Sequence, residues 1–248
     1  METVTVENVT LGEGLPKVIV PLVGKTREEI LQEAEIAVAS NCDIIEWRID
    51  HFEEITDFAK AADFVKDVKA AVKMPLLVTF RTAKEGGVCP MDDAQYFEMY
   101  HAFLEQGSFD LLDVELFMPE AEVAELVKAA HDKGVKIVMC NHDFDKTPPK
   151  EEIITRLRAM QDKGADICKI AVMPQTTHDV IVLLDATQEM YNNYAKQPLI
   201  TMSMGKLGVV SRVSGATFGS AATFGAAKKA SAPGQVSVGE LRTILETL

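Results

Sequence analysis

A lysine at position 169 sits in the run DICKIAVM, with apolar neighbours on both sides and no adjacent carboxylate. Lysines are almost never fully buried unless paired. One reading of Lys169 is a structural ion pair inside the fold, with Asp113 or Glu115 as counter-charge. The other is a nucleophile. Burial and nearby cations favour the neutral amine, which attacks carbonyls to form an imine; Arg48, Arg81 and Arg212 are the candidate cations. His142 closes another apolar run, VKIVMCNHD. Alone it reads as a histidine capping a strand end; beside a buried lysine it reads as a general acid/base. Asp143 or Glu85 would orient it or tune its pKa. Charge recurs at the ends of further apolar runs: Glu46 and Arg48, Arg81 then Glu85, Asp113 and Glu115. Residues two apart in a strand share a face, and charges in apolar strands are costly unless paired or used. Arg212 reads either as a surface arginine on a short helix or as a clamp for a carboxylate or phosphate.

The elements that must hold these groups follow from the hydrophobic pattern. Eight apolar runs recur: KVIVPLVG at 17, CDIIEWRID at 42, MPLLVTFR at 74, DLLDVELF at 110, VKIVMCNHD at 135, DICKIAVM at 166, PLITMSMG at 198 and GSAATFG at 219. Most are rich in Val, Ile and Leu, as strands covered on both faces are. Segments 27–39, 55–72, 93–106, 119–132, 148–163, 177–195 and 237–247 read as amphipathic helices. Thr26 with Glu29, Thr176 with Asp179 and Ser237 with Glu240 have capping-box spacing, and Thr147–Pro148 predicts a helix start with proline at its first position. The connection 205–216 is short and Gly-rich, so its helix is abbreviated. Eight strands alternating with helices predict an α/β fold, a single (β/α)₈ barrel over 1–248, which typically needs about 250 residues. An open doubly wound sheet is the competitor. VTVENVTLG predicts an N-terminal hairpin closing the barrel bottom.

The 248-residue chain is 47% hydrophobic and 25% charged, an ordinary globular composition. Its net charge of −13 argues against a nucleic-acid protein carried by phosphate contacts. An anionic ligand must therefore meet a local basic site. Cys42, Cys89, Cys140 and Cys168 form no CxxC pair and read as reduced thiols. No apolar run approaches the roughly 18 residues of a membrane span, and METVTVENVT lacks the apolar stretch of a signal peptide. The expected setting is the cytoplasm. GKT at 24–26 lacks the earlier glycine of a phosphate-binding loop, since Ile19 stands there; it reads as a turn and helix cap. No HExxH occurs, and His51, His101, His131 and His178 read as solvated. Phe97, Met99 and Phe103 read as core.

EWRID at 46–50, FRTAKEGG at 80–87, CNHDF with TP at 140–148, KIAVMP at 169–174, TMSMGKLG at 201–208, GSAATFG at 219–225 and KKASAPGQ at 228–235 occur in one order. Together they resemble the type I 3-dehydroquinate dehydratases, the Schiff-base enzymes of the shikimate pathway, over nearly the whole chain. The resemblance implies a homodimeric (β/α)₈ barrel acting on 3-dehydroquinate, with no cofactor and no metal. It implies an imine at Lys169, acid/base work at His142 and an assisting carboxylate at Glu85. Glu46, Arg48 and Arg81 would hold ring hydroxyls, and Arg212 the substrate carboxylate. Ser231 and Gln235 would close over the substrate, and Met202 and Phe224 would pack on the carbocycle. Residues 226–236 are small, polar and turn-forming, and are expected to order as a lid.

Three other readings compete. A class I aldolase would also use Lys169 and would differ in its polar shell and product. A metal-dependent barrel would use Glu46, Asp113, Glu115 and His142 as ligands. A non-catalytic barrel would only bind a small acid through Arg212.

Overall fold

The computed structural model describes residues 1–227 and 234–248. Eight strands run parallel in a ring: β3 (Lys17–Leu22), β4 (Ile44–Arg48), β5 (Leu76–Thr79), β6 (Leu111–Glu115), β7 (Lys136–Asp143), β8 (Ile167–Val172), β9 (Leu199–Ser203) and β10 (Ala222–Ala226). β10 pairs with β3, and a parallel bridge between Leu199 and Ser220 joins β9 to the start of β10, so the sheet closes on itself. A short strand, β11 (Val236–Ser237), adds to the outer end of β10. Each of the eight apolar runs became one barrel strand. The expected hairpin is also present: β1 (Val4–Val6) pairs antiparallel with β2 (Val9–Leu11).

Strand alternation divides the core in two. Val18, Val20, Leu22, Ile45, Trp47, Val78, Val114, Met139 and Ile170 face outward into the layer shared with the helices. Ile19, Ile44, Leu77, Leu111, Val138, Ile167, Ile200 and Ala222 face the lumen, one from each strand. The hairpin adds Val4, Val6, Val9 and Leu11 to that inner cluster and plugs the bottom.

The outer helices are α1 (Arg27–Ala39), α2 (Phe58–Val72), α3 (Asp93–Gln106), α4 (Glu120–Asp132), α5 (Lys150–Asp162), α6 (Thr177–Asn193), the abbreviated pair α7 (Val209–Val213) and α8 (Gly215–Phe218), and α9 (Val238–Leu245). Thr26 and Thr176 make full capping boxes with Glu29 and Asp179. GKT is the turn before α1: the Glu33 carboxylate accepts from the N–H groups of Val23 and Gly24 at 2.7 and 2.8 Å. Two helix starts differ from the pattern by two residues or more. α2 begins at Phe58 because the Asp57 side chain caps Lys60 N–H, leaving Ile55 buried in the preceding loop. α5 begins at Lys150, after Pro149, because the Thr147 hydroxyl is tied instead to the Met173 carbonyl beyond β8.

Cys42, Cys140 and Cys168 are buried and Cys89 is half-buried, all as free thiols. Phe97, Met99 and Phe103 are core, as expected. His131 and His178 are exposed, but His51 and His101 are half-buried; His51 Nε2 lies 3.9 Å from the buried Asp50 carboxylate. Ser231 and most of the expected lid, 228–233, lie outside the described residues.

Candidate active site

Two residues above the apolar floor, the same inward face of the strands carries Glu46, Thr79, Asp113, Cys140, Lys169, Met202 and Phe224. Lys169 is 3% exposed. Its Nζ lies 3.2 Å from Asp113 Oδ2, 3.7 Å from Glu46 Oε1 and 4.6 Å from the centroid of the Phe224 ring. The immediate charges are thus carboxylates, not the guanidinium groups anticipated from sequence. The ion-pair reading is correct for Asp113 but not for Glu115, which is taken by Arg81 and Thr82.

Arg81 lies just past β5, buried, and donates to Asp113 at 2.8 Å, Glu115 at 2.8 Å and Cys140 Sγ at 3.0 Å. Burial works against its charge, and the surrounding carboxylates hold it firmly protonated. Burial alone would raise the Asp113 carboxyl; Arg81 and Lys169 outweigh it, so its pKa lies below the ordinary value. The Tyr100 hydroxyl on α3 accepts from Phe80 N–H and donates to the Asp113 carbonyl, both at 2.8 Å, locking the end of β5 to β6.

Arg81 and Glu85 share a tight loop. Thr82 O accepts from Glu85 N–H and Gly87 N–H at 3.0 and 2.8 Å. Gly86 adopts φ 88°, and a side chain there would also strike the Phe144 ring. A Cβ on Gly87 would fall 1.8 Å from the Arg81 carbonyl oxygen, so this GG pair is demanded by the fold.

Glu85 Oε2 accepts from His142 N–H at 2.8 Å and lies 3.0 Å from His142 Nδ1. Oε1 accepts from Asn141 Nδ2 at 2.9 Å. Burial and the Glu115 charge raise the Glu85 carboxyl to about 7, against the pull of Arg81. Burial, with Arg81, Lys169 and Arg48 nearby, pushes the His142 imidazole well below its usual value. The histidine is therefore neutral near pH 7. With Nδ1–H directed at Glu85, Nε2 carries the free lone pair.

Arg48 makes a two-pronged pair with buried Asp50 at 2.7 and 2.9 Å. Asp50 also accepts from Arg81 N–H and Val88 N–H at 3.4 and 3.3 Å, so it joins the β4 end to the Arg81 loop. Thr79 donates to Glu46 at 2.9 Å. Arg212, on α7, is 2% exposed and lies 3.6 Å from Met202 Sδ; burial lowers its guanidinium to about 10.

Glu46, Arg48, Arg81, Glu85, His142, Lys169, Met202, Arg212, Phe224 and Gln235 line one cavity at the C-terminal ends of the strands, about 600 Å³ including its open mouth. Ten of the eleven residues to which the resemblance gives a role thus share one space; Ser231 falls outside the described residues. Sequence reasoning passed over Asp50, although it stands in EWRID, and Thr79, Thr82 and Asn141. A buried polar residue beside each charged strand end was the available signal.

The four ligands of the metal reading do not gather. Glu46, Asp113 and Glu115 are matched to Lys169, Arg81 and Thr82. Among the described residues, the metal-type donor atoms within 4.8 Å of one another belong to Glu85, Cys140 and His142. Burial holds the Cys140 thiol protonated, and it donates to Asp113, so this set does not offer a thiolate. No described helix is long and apolar enough to cross a membrane.

Residues 18–248 match the family model described as Type I 3-dehydroquinase. The chain is 52% identical over 248 residues to a 3-dehydroquinate dehydratase of Enterococcus faecalis, covering all of this chain and 98% of the relative. It is 53% identical over 249 residues to one from Bacillus velezensis, with the same coverage. A type I 3-dehydroquinate dehydratase structure from Clostridium difficile, with covalently modified comenic acid, superposes with a TM-score of 0.96 at 47% identity, covering 99% of this chain and 97% of that one. A 3-hexulose-6-phosphate synthase, at 20% identity and a TM-score of 0.61, shares the fold alone. The open-sheet alternative is thereby set aside, and the chain belongs to the type I 3-dehydroquinase family.

Proposed function

We propose that this protein removes water from 3-dehydroquinate to give 3-dehydroshikimate, a step of the shikimate pathway, through an imine at Lys169. Family membership gives the reaction. The observation that carries the mechanism is that buried Lys169 and neutral His142 open into one cavity from adjacent strands, with Cys140 paired to Lys169 and His142 paired to Ala171.

Elimination from a β-hydroxy ketone requires loss of a weakly acidic α-proton. A Lys169 N–H proton passes to His142 as Nζ attacks the ketone and returns to the departing hydroxyl, so loss of water leaves a protonated imine that makes the α-proton far more acidic. Asp113 and Glu46 offset the imine's positive charge. His142 Nε2 takes the α-proton, leaving an enamine, and the resulting imidazolium gives its proton to the departing β-hydroxyl. One base serving both steps suits syn elimination. Water then hydrolyses the product imine and restores Lys169, with His142 again moving the proton. Glu85 fixes the imidazole through Nδ1–H and balances its charge when protonated. A positioned acid/base of this kind contributes roughly 10²–10⁴-fold.

Arg212 provides the local cation that an anionic protein needs for the substrate carboxylate. Glu46, Arg48 and Arg81 face the ring hydroxyls, Met202 and Phe224 the carbocycle. Gln235 lines the same cavity and offers a polar contact to the substrate. In this reading the chain is one domain over 1–248, works in the cytoplasm as a homodimer and needs no cofactor.

The test is to add 3-dehydroquinate and follow the conjugated enone in ultraviolet absorbance, then repeat with borohydride. Turnover together with a covalent mass increase on the Lys169 peptide supports the reading. An aldol cleavage product points to the aldolase alternative. A label on another lysine overturns the mechanism.

A further inference from the structure

A second depression, on the outer side of β7, is lined by Asn141 and Arg156 and also by Glu85 and His142. Glu85 and His142 therefore form a wall between this depression and the active cavity. Asn141 has the outward parity of Ile137 and Met139, so its amide reaches the Glu85 carboxyl from the helix side. Arg156 on α5 donates from NH1 to Asn141 Oδ1 at 2.7 Å. Its own charge is held by Glu152 and, at 3.7 Å, by Asp143, and its guanidinium lies 5.4 Å from the Phe117 ring centroid.

We propose that Arg156 and Asn141 are positioning residues that set the direction of the Glu85 carboxyl and, through it, of the His142 ring. A carboxamide has a donor end and an acceptor end of nearly equal shape. Against a carboxylate alone, either end fits sterically, but only the amine end is attractive. Arg156 can only donate, so it claims Oδ1 and leaves Nδ2 facing Glu85 Oε1. That leaves Glu85 Oε2 to accept from the backbone N–H of His142 at 2.8 Å and places it 3.0 Å from Nδ1, a position that favours the tautomer with its proton on Nδ1. The order Arg156, Asn141, Glu85, His142 thus fixes one tautomer and one ring direction from outside the barrel. Displacing a reacting group by even 1 Å can cost about 10²-fold in rate.

The inference rests on the imine reading above, and the experiment separates the two. Steady-state kinetics, pH profiles and borohydride trapping are measured for wild type, Arg156→Met, Arg156→Lys, Asn141→Leu and, as a control on the same helix, Arg158→Ala. Arg158 is exposed and packs over Tyr194. Arg156→Met should lower kcat by roughly 10-fold to 100-fold, within the share a positioned acid/base supplies. Its KM should move less than about twofold and its imine trapping should persist. The limb of the kcat/KM profile set by the Glu85–His142 pair should shift, while Arg81, Lys169, Arg48 and Glu115, the other charges facing that pair, are unchanged. Arg156→Lys, which keeps a donor, should recover much of the rate. Asn141→Leu should be at least as impaired as Arg156→Met, and Arg158→Ala should match wild type. A wild-type kcat and pH profile in Arg156→Met overturns the positioning role; so does an equal loss in Arg158→Ala, which would make the effect one of helix stability. Absence of turnover or trapping in the wild type would instead overturn the reaction assigned.

Discussion

The bottom and top of the barrel lumen are built by the same eight strands with the same alternation, yet they hold opposite chemistry. At the bottom, Ile44, Leu77, Leu111, Val138, Ile167 and Ile200 meet the valines and leucine of the hairpin. Two residues further along each strand stand Glu46, Thr79, Asp113, Cys140, Lys169 and Met202; another two bring Arg48, Arg81, Glu115, His142, Ala171 and Met204. Glu46, Asp113 and Lys169 are only 3%, 0% and 3% exposed, so their charges must be matched inside the protein. Asp113, 0% exposed, has Arg81 on one oxygen and Lys169 on the other. The apolar layer fills the lumen floor, and the ion-paired layer above it places the Lys169 amine at the base of the open cavity. Stability and chemistry are therefore separable by a single step along one strand, and Ile167 and Lys169 on β8 are the sharpest pair to test it.

The largest effect should come from Lys169→Met. Methionine keeps most of the stem and removes Nζ, while Asp113 keeps Arg81 as counter-charge. Turnover should fall on the order of 10⁴-fold or more, as it does when a covalent nucleophile is deleted. Borohydride labelling should vanish and cooperative unfolding should survive. A rate within tenfold of wild type would remove Lys169 from the mechanism.

One step down, Ile167→Ala should invert the result. The residue is 0% exposed and packs in the lumen floor. Truncation should cost about 2–5 kcal/mol of stability, through lost burial and the cavity left behind. Denaturant unfolding measures that loss, and kcat per folded molecule should stay near wild type. A kcat that falls as steeply as in Lys169→Met would show that the floor and the site are one unit.

The barrel and most of its upper face were legible in the chain because both rest on period-two alternation. Lys169 stood out since it has apolar neighbours on both sides in DICKIAVM and no adjacent carboxylate. His142 could be placed beside it since strands five and six of the pattern are adjacent, as β7 and β8 are. What alternation hides is partnership. Nothing in DICKIAVM says that Lys169 meets Asp113 and Glu46 before any arginine. Nor does CNHDF reveal that Asn141, on the outward face, reaches round to Glu85; that contact depends on a tight glycine loop after β5. Helix starts were misplaced at 55 and 148 because caps are decided by side-chain geometry, with Asp57 capping in one case and Thr147 diverted in the other.

The smallest expected effect is in the pH dependence of stability at the rim, where Glu85 and His142 titrate against each other. Glu85 has a folded pKa of about 7, raised chiefly by burial, against about 4.3 in an unfolded chain. Between those values the folded protein holds a proton that the unfolded chain has released. Stability from this group is complete below about 4.3 and is lost as pH rises through about 7. His142 has the opposite sign. Its folded pKa lies well below the usual 6.5, so its contribution is present above 6.5 and fades as pH falls below that. The two slopes oppose each other below 6.5, and above it only Glu85 still titrates. Glu85→Gln removes that proton while leaving His142 in place. The stability of wild type relative to Glu85→Gln should therefore decline from pH 5 to pH 8, by roughly 1–3 kcal/mol given about 1.4 kcal/mol for each tenfold change in proton affinity. Nothing of the kind should appear for a lumen-floor variant such as Ile167→Ala, whose deficit should run parallel to wild type across the range. Unfolding curves at half-unit steps would measure both. A difference between wild type and Glu85→Gln that stays flat from pH 5 to 8 would mean that Glu85 is ionised throughout, and that the rim is as indifferent to protons as the floor.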